Sequence, residues 1–141
     1  MKGKSLQFID TNIIIYAYNR TDEEKHNRAK ALMKELWEEG QGCLSIQVLQ
    51  EFYVNITRKL SRPMPPETAA QIIGDLGQWD LHVPEMVDVL ETIGIQKRNK
   101  ISFWDAMIVC SAKSLACDIL WTEDLNNGQY CEGVKVQNPF L

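Results

Sequence analysis

The chain has 141 residues, 45% of them hydrophobic and 24% charged, with a formal net charge of -4. That length suits one globular domain spanning 1–141 around one core, and the composition excludes a disordered chain. The negative balance excludes a protein that holds nucleic acid by overall charge alone, so any grip on phosphates has to come from a bound cation or a local basic patch.

Lys2 and Lys4 imitate the start of a secretory signal, but Asp10, Thr11 and Asn12 break the apolar run that follows. No apolar stretch approaches the roughly 20 residues that cross a bilayer, which points to a cytoplasmic protein with no membrane partner. Leu6 to Asp10 reads as a buried strand ending at a carboxylate, and Ile13 to Tyr18 as the start of a buried helix capped by Asp10, Thr11 or Asn12. From Asp22 to Glu39 the apolar residues Ala29, Leu32, Met33 and Leu36 fall at helical spacing, with Asp22 able to cap and Gly40 able to end the helix. Gly42 to Ile46 is a second strand, and Val48, Leu49, Phe52, Tyr53 and Ile56 mark one face of the next helix.

Arg62 to Pro66 is a stiff loop, and Pro66 opens a helix running to about Gly77. Asp80 to Val83 is a third strand. Pro84 opens a further helix with Val87, Leu90 and Ile93 on its inner face, followed by a basic turn at Lys97 to Lys100. Ser102 to Leu115 is a strong helix, Asp118 to Thr122 a fourth strand, Asn126-Asn127-Gly128 a turn, and Val134 to Gln137 a weak fifth strand. Strands alternate with helices throughout, which predicts a three-layer α/β/α sandwich around a mostly parallel sheet of four or five strands. Cys43, Cys110, Cys117 and Cys131 form no CxxC pair and the only histidines are His26 and His82, so a zinc site is not expected; Cys43 and Cys110 read as small core residues in a reducing compartment. Trp37, Trp79 and Tyr53 fit either a subunit interface or the core.

In a parallel sheet, strand ends and the helix starts that follow them share one edge, where sites form. Asp10 and Asp124 lie at strand ends, Glu51 in the first turns of the helix after the second strand, and Asp105 in the first turn of its own helix. Each has an ordinary role available: Asp10 as a cap, Glu51 as a solvated helix residue, Asp105 in a capping box with Ser102, Asp124 in an exposed acid pair with Glu123. Together they would repel one another unless their pKa values rise or a cation binds. The cation suited to an all-oxygen set is Mg²⁺ or Mn²⁺, and such a centre suits phosphodiester hydrolysis. Thr11, Asn12 and Thr122 can hydrogen-bond the carboxylates or serve as caps and turns. Arg58, Lys59 and Arg62 form one basic cluster and Lys97, Arg98 and Lys100 another; each is a candidate phosphate-backbone contact or simply a solvated helix end. Trp104, beside Asp105, reads as rim or core packing rather than a base-stacking platform.

Ile9-Asp10-Thr11-Asn12 after an apolar strand, Glu51 in Val48-Leu49-Gln50-Glu51-Phe52, Asp105 in Phe103-Trp104-Asp105-Ala106 and Asp124 in Thr122-Glu123-Asp124-Leu125 resemble, in order and spacing, the acidic motifs of PIN-domain nucleases. The resemblance covers nearly the whole chain. It implies a PIN-like fold and Mg²⁺- or Mn²⁺-dependent endoribonuclease activity on RNA, with Asp10, Glu51, Asp105 and Asp124 as catalytic and metal-holding residues. It further implies the VapC-type toxins of toxin–antitoxin pairs, which are typically homodimers inhibited by an antitoxin. The alternatives are a housekeeping PIN nuclease in RNA maturation, an α/β phosphohydrolase with Asp10 as covalent nucleophile, and a catalytically silent binding module. Asn12 stands where haloacid-dehalogenase-like enzymes carry a second Asp, which disfavours the covalent route.

Overall fold

The computed structural model describes residues 5–141, so Lys2 and Lys4 lie outside the described residues. Its elements are β1 (Gln7–Ile9), α1 (Thr11–Tyr18), α2 (Glu23–Glu39), β2 (Gly42–Ser45), α3 (Ile46–Val54), a π-helical turn (Asn55–Lys59), α4 (Pro66–Leu76), β3 (Asp80–His82), α5 (Met86–Asn99), α6 (Phe103–Ser114), β4 (Ile119–Trp121), β5 (Tyr130–Cys131) and β6 (Val134–Gln137). The local chemistry explains the boundaries. Asp22 accepts from the Lys25 N–H at the start of α2, Gly40 ends it in the left-handed conformation, and Pro66 takes the first position of α4, where a missing N–H costs nothing.

The strands form one sheet in the order β3-β2-β1-β4-β6-β5, parallel except for β5 against β6. Two successive crossovers move outward from β1 to β2 and β3, and the chain then returns to the other side of β1 for β4. Right-handed crossovers therefore put α1 to α4 on one face and α5 and α6 on the other, giving the expected three layers. The sheet has six strands rather than four or five. The additional strand is the two-residue β5, whose Tyr130-Cys131 is too short to show a period in sequence. Phe8, Ile9, Ile13, Ile14, Leu36, Leu44, Val48, Phe52 and Leu120 are buried together at the centre. Phe8 and Ile9 of β1 point to opposite faces and are both fully buried, as in central parallel strands.

Helix α5 departs from expectation. Val87 and Leu90 are exposed at 66% and 58%, and Ile93 is also exposed, whereas Thr92 and Ile95 of the same helix are buried. The inward face is partly polar and is satisfied by neighbours. Thr92 Oγ1 donates to the Asp88 carbonyl at 2.7 Å, and His82 bridges Ser111 Oγ (2.7 Å) and the Asp88 carboxylate (3.4 Å). Lys97 to Asn99 form the last turn of α5 rather than a separate turn, with Lys100 capping it in the left-handed conformation. Cys43, Cys110, Cys117 and Cys131 are buried and free. No helix among the described residues is long and apolar enough to cross a membrane.

Candidate active site

Strand order reverses between β1 and β4, and the carboxyl ends of these strands open the crevice where ligands bind in such sheets. Asp10 leaves β1 there, its N–H bonded to the Trp121 carbonyl of β4 at 3.0 Å. Its side chain both caps α1, accepting from the Thr11 N–H at 2.7 Å, and accepts the Thr122 hydroxyl at 2.7 Å. Cap and cluster member are thus one residue. Thr122 Oγ1 in turn receives the Asp124 N–H at 3.1 Å, pinning the loop after β4 to Asp10.

Glu51, on the second turn of α3, reaches across to α1. The Thr11 hydroxyl donates to Glu51 Oε2 at 2.9 Å, and the Gln47 amide donates to Glu51 Oε1 at 2.9 Å. Gln47 stands one helical turn before Glu51, a spacing legible in the sequence that carboxylate counting passed over. Its Nε2 also lies 3.5 Å from the Trp104 carbonyl, linking α3 to the start of α6. At that start Ser102 Oγ accepts the Asp105 N–H at 3.0 Å, but the Asp105 carboxylate makes no return bond. The capping box is therefore half-formed and leaves that carboxylate free. Trp104 is 63% exposed at the rim.

The electrostatics follow from this crowding. Burial pushes the Asp10 carboxyl up to about 7, and the nearby charges of Asp124 and Glu51 add to the rise against the hydrogen bonds from Thr122 and Thr11. Asp124 is also raised, by burial and then by the charges of Asp105 and Glu123. All four acids thus share one field. Glu123 points elsewhere: Lys25 pairs with it at 2.8 Å. Thr11 and Thr122 touch the carboxylates, whereas Asn12 makes no hydrogen bond to them and instead lines an adjoining cavity. Of the basic clusters, Arg58, Lys59 and Arg62 are exposed on and just after the π turn, and Lys59 lines that same cavity. Arg98 is drawn into ion pairs with Glu132 (2.7 Å) and Glu91 (3.7 Å), leaving Lys97 and Lys100 as the free cations of the second cluster among the described residues.

The donor set is carboxylate oxygen throughout, as hard divalent cations require, and a cation would offset the burial, and with it the neighbouring charges, that raise Asp10. Among the described residues no three Asp, Glu, His or Cys side chains converge tightly enough to cage a metal as they stand. Among the described residues the Asp105 carboxylate has no hydrogen-bond partner.

Fold and crevice define a doubly wound α/β domain with an acidic switch point. The PIN domain family model matches residues 8–131, and the chain belongs to that family. No curated protein matches the sequence. Solved structures with the same fold include VapC20 of Mycobacterium tuberculosis, a sarcin–ricin loop cleaving toxin (18% identity over 84% of this chain and 91% of that one, TM-score 0.62). A toxin–antitoxin complex from Klebsiella pneumoniae matches at 20% identity over 96% and 98% (TM-score 0.65). VapBC2 of Rickettsia felis, bound to a DNA fragment from its promoter, matches at 16% over 94% and 98% (TM-score 0.67). At these identities the likeness is one of fold.

Proposed function

We propose that this chain, acting as one domain, is a divalent-metal-dependent endoribonuclease and the toxin of a VapBC-type pair. The observation that carries the reading is Asp10, buried at 7% exposure in the switch-point crevice, with Thr11 tying Glu51 to it and Thr122 tying the loop of Asp124 to it. Asp10, Asp105 and Asp124 would hold Mg²⁺ or Mn²⁺, with Glu51 completing the set. A bound cation would supply Lewis acidity, lowering the pKa of water and balancing charge on the phosphate.

The chain's own residues do the positioning. Thr122 and the Thr11 amide fix both oxygens of Asp10, while Thr11 and Gln47 fix both oxygens of Glu51. With carboxylates so held, water is oriented for in-line attack on phosphorus, leaving a 3′-hydroxyl and a 5′-phosphate. Arg58, Lys59 and Arg62 supply the cationic path for the RNA backbone that the net charge of -4 does not.

The toxin reading draws on the VapC and toxin–antitoxin structures that share the fold, and it assigns the protein an antitoxin partner and a cytoplasmic location. A homodimer fits the exposed apolar stripe of Met86, Val87, Leu90 and Ile93 on α5, an unusual surface for a monomer.

The test is cleavage of a structured RNA pool with Mn²⁺, with Mg²⁺ and with excess chelator, beside Asp10→Asn. Cleavage that needs both metal and Asp10 is expected, with 5′-phosphate ends. Ends bearing 2′,3′-cyclic phosphate would refute the mechanism, because they report attack by the RNA's own 2′-hydroxyl. The absence of both cleavage and calorimetrically detected metal binding would refute the enzyme.

A further inference from the structure

A cavity of about 530 Å³ opens between α1, the start of α2 and the π turn, its apolar wall formed by Ile15, Tyr16 and Leu60 and its polar wall by Asn12, Asn55 and Lys59 among others. Its size falls in the range of small-ligand pockets. None of the four acids lines it, but two of its lining residues are chain neighbours of the residues that do form the acidic crevice. Asn12 follows Thr11, the residue that holds Glu51, and Asn55 stands one turn beyond Glu51, with its N–H bonded to the Glu51 carbonyl. The π turn carries Lys59 along the same wall, and such turns recur where a helix is adapted to a site.

The wall is held in place. The Met64 N–H returns to the Ile56 carbonyl at 2.9 Å, and the Thr57 hydroxyl donates to the Tyr53 carbonyl at 2.6 Å. Its polar groups are nevertheless unspent. The side chains of Asn12, Asn55 and Lys59 have no protein partner among the described residues. Asn19 uses only its oxygen, which accepts from the Thr21 N–H (3.1 Å) and hydroxyl (2.8 Å), so its amide N–H groups stay available. Asp22, the one acid of the lining, caps α2 through the Lys25 N–H at 3.1 Å.

We infer that this cavity is a subsite for the nucleotide next to the scissile phosphate, with Asn12 and Asn55 reading the base and Lys59 holding the neighbouring phosphate; it rests on the ribonuclease reading above. A carboxamide presents a donor and an acceptor in one plane, the pattern of a base edge. An ammonium on a flexible stem suits a phosphate. Unstacked bases of single-stranded RNA can be splayed into such a pocket.

Two measurements test it. The first titrates the wild-type protein, in chelator, with the four ribonucleoside 5′-monophosphates while following the side-chain amide resonances of Asn12 and Asn55. At least one nucleotide is expected to move both sets. The second maps the bases flanking each cut made in an RNA pool by wild type, Asn55→Leu and Lys59→Gln, with folding checked by thermal melting. Asn55→Leu is expected to flatten the base preference on one side of the cut and to raise KM by about tenfold, and Lys59→Gln to raise KM without changing the preferred base. Lys59 is exposed, so its variant stands if Asn55→Leu fails to fold. Unmoved amides, or unchanged preference and KM in the folded variants, overturn the subsite. Cleavage with unmoved amides leaves the nuclease standing without the subsite, whereas moved amides without any cleavage keep a nucleotide site and remove the hydrolysis.

Discussion

Replacing Asp10 by Asn should make the metal-free protein more stable above pH 7. The folded-state carboxyl is raised from 3.8 to about 7, chiefly by burial. A carboxyl raised on folding carries no penalty below its unfolded pKa, a growing one between the two values, and the full one above the folded pKa. Stability therefore falls as pH rises from about 4 to about 7. A gap of about three units is worth about 4 kcal/mol at about 1.4 kcal/mol per unit. Asn keeps an acceptor for the Thr11 N–H but pairs less well with the Thr122 hydroxyl, a loss of about 1 kcal/mol. The net gain of about 3 kcal/mol corresponds to a Tm increase of roughly 10 °C for a chain of this size. Thermal melts of both proteins in chelator at pH 4 and pH 8 measure it: the variant should melt higher at pH 8 and slightly lower at pH 4. Added Mn²⁺ should raise the wild-type Tm and leave the variant nearly unchanged. A variant that melts lower by the same amount at both pH values would refute the reasoning, making Asp10 a helix cap whose charge costs nothing.

Gly42→Ala should destabilise the protein by about 1–3 kcal/mol in urea unfolding, because an added Cβ would overlap the Trp79 ring. Combining it with Trp79→Leu should recover part of the loss, and additive losses would place the strain elsewhere. Glu132 is held down to about 2, first by the hydrogen bond from Arg98 and then by Asn99 and Lys113. Its contribution is present above the unfolded carboxylate pKa and is lost as pH falls through about 2. Glu132→Gln should thus lower the Tm at pH 7, with the difference from wild type closing by pH 2; an unchanged difference at both ends would show that shape, not charge, matters there.

Much of this was legible in the chain. Asp22, Gly40 and Pro66 mark helix ends by chemistry that acts within a few residues, and alternating strands and helices leave few ways to stack. The places of the acids at strand ends and helix starts were legible as well, because a parallel sheet carries strand ends to one edge whatever the side chains around them. The face of α5 was not. Spacing tells which residues share a stripe, not which of two stripes turns inward, and Asp88 and Thr92 can turn inward because His82, Ser111 and Met107 come from distant segments to meet them. The bond from Gln47 to Glu51 lies within one helical turn and is legible in the spacing, whereas the approach of Gln47 to the Trp104 carbonyl, 57 positions away, is not.

Local sequence thus determined where the elements begin and end, their alternation, and which carboxylates stand at strand ends and helix starts. Only the tertiary structure decided that Thr122 and Thr11 clamp Asp10, that Lys25 takes Glu123 and leaves Asp124 beside the other acids, and that Asn12 turns from the acids to the cavity wall. Capping and turn chemistry is complete within one helical turn, whereas a buried carboxylate's charge is set by every group that packing brings within a few ångströms.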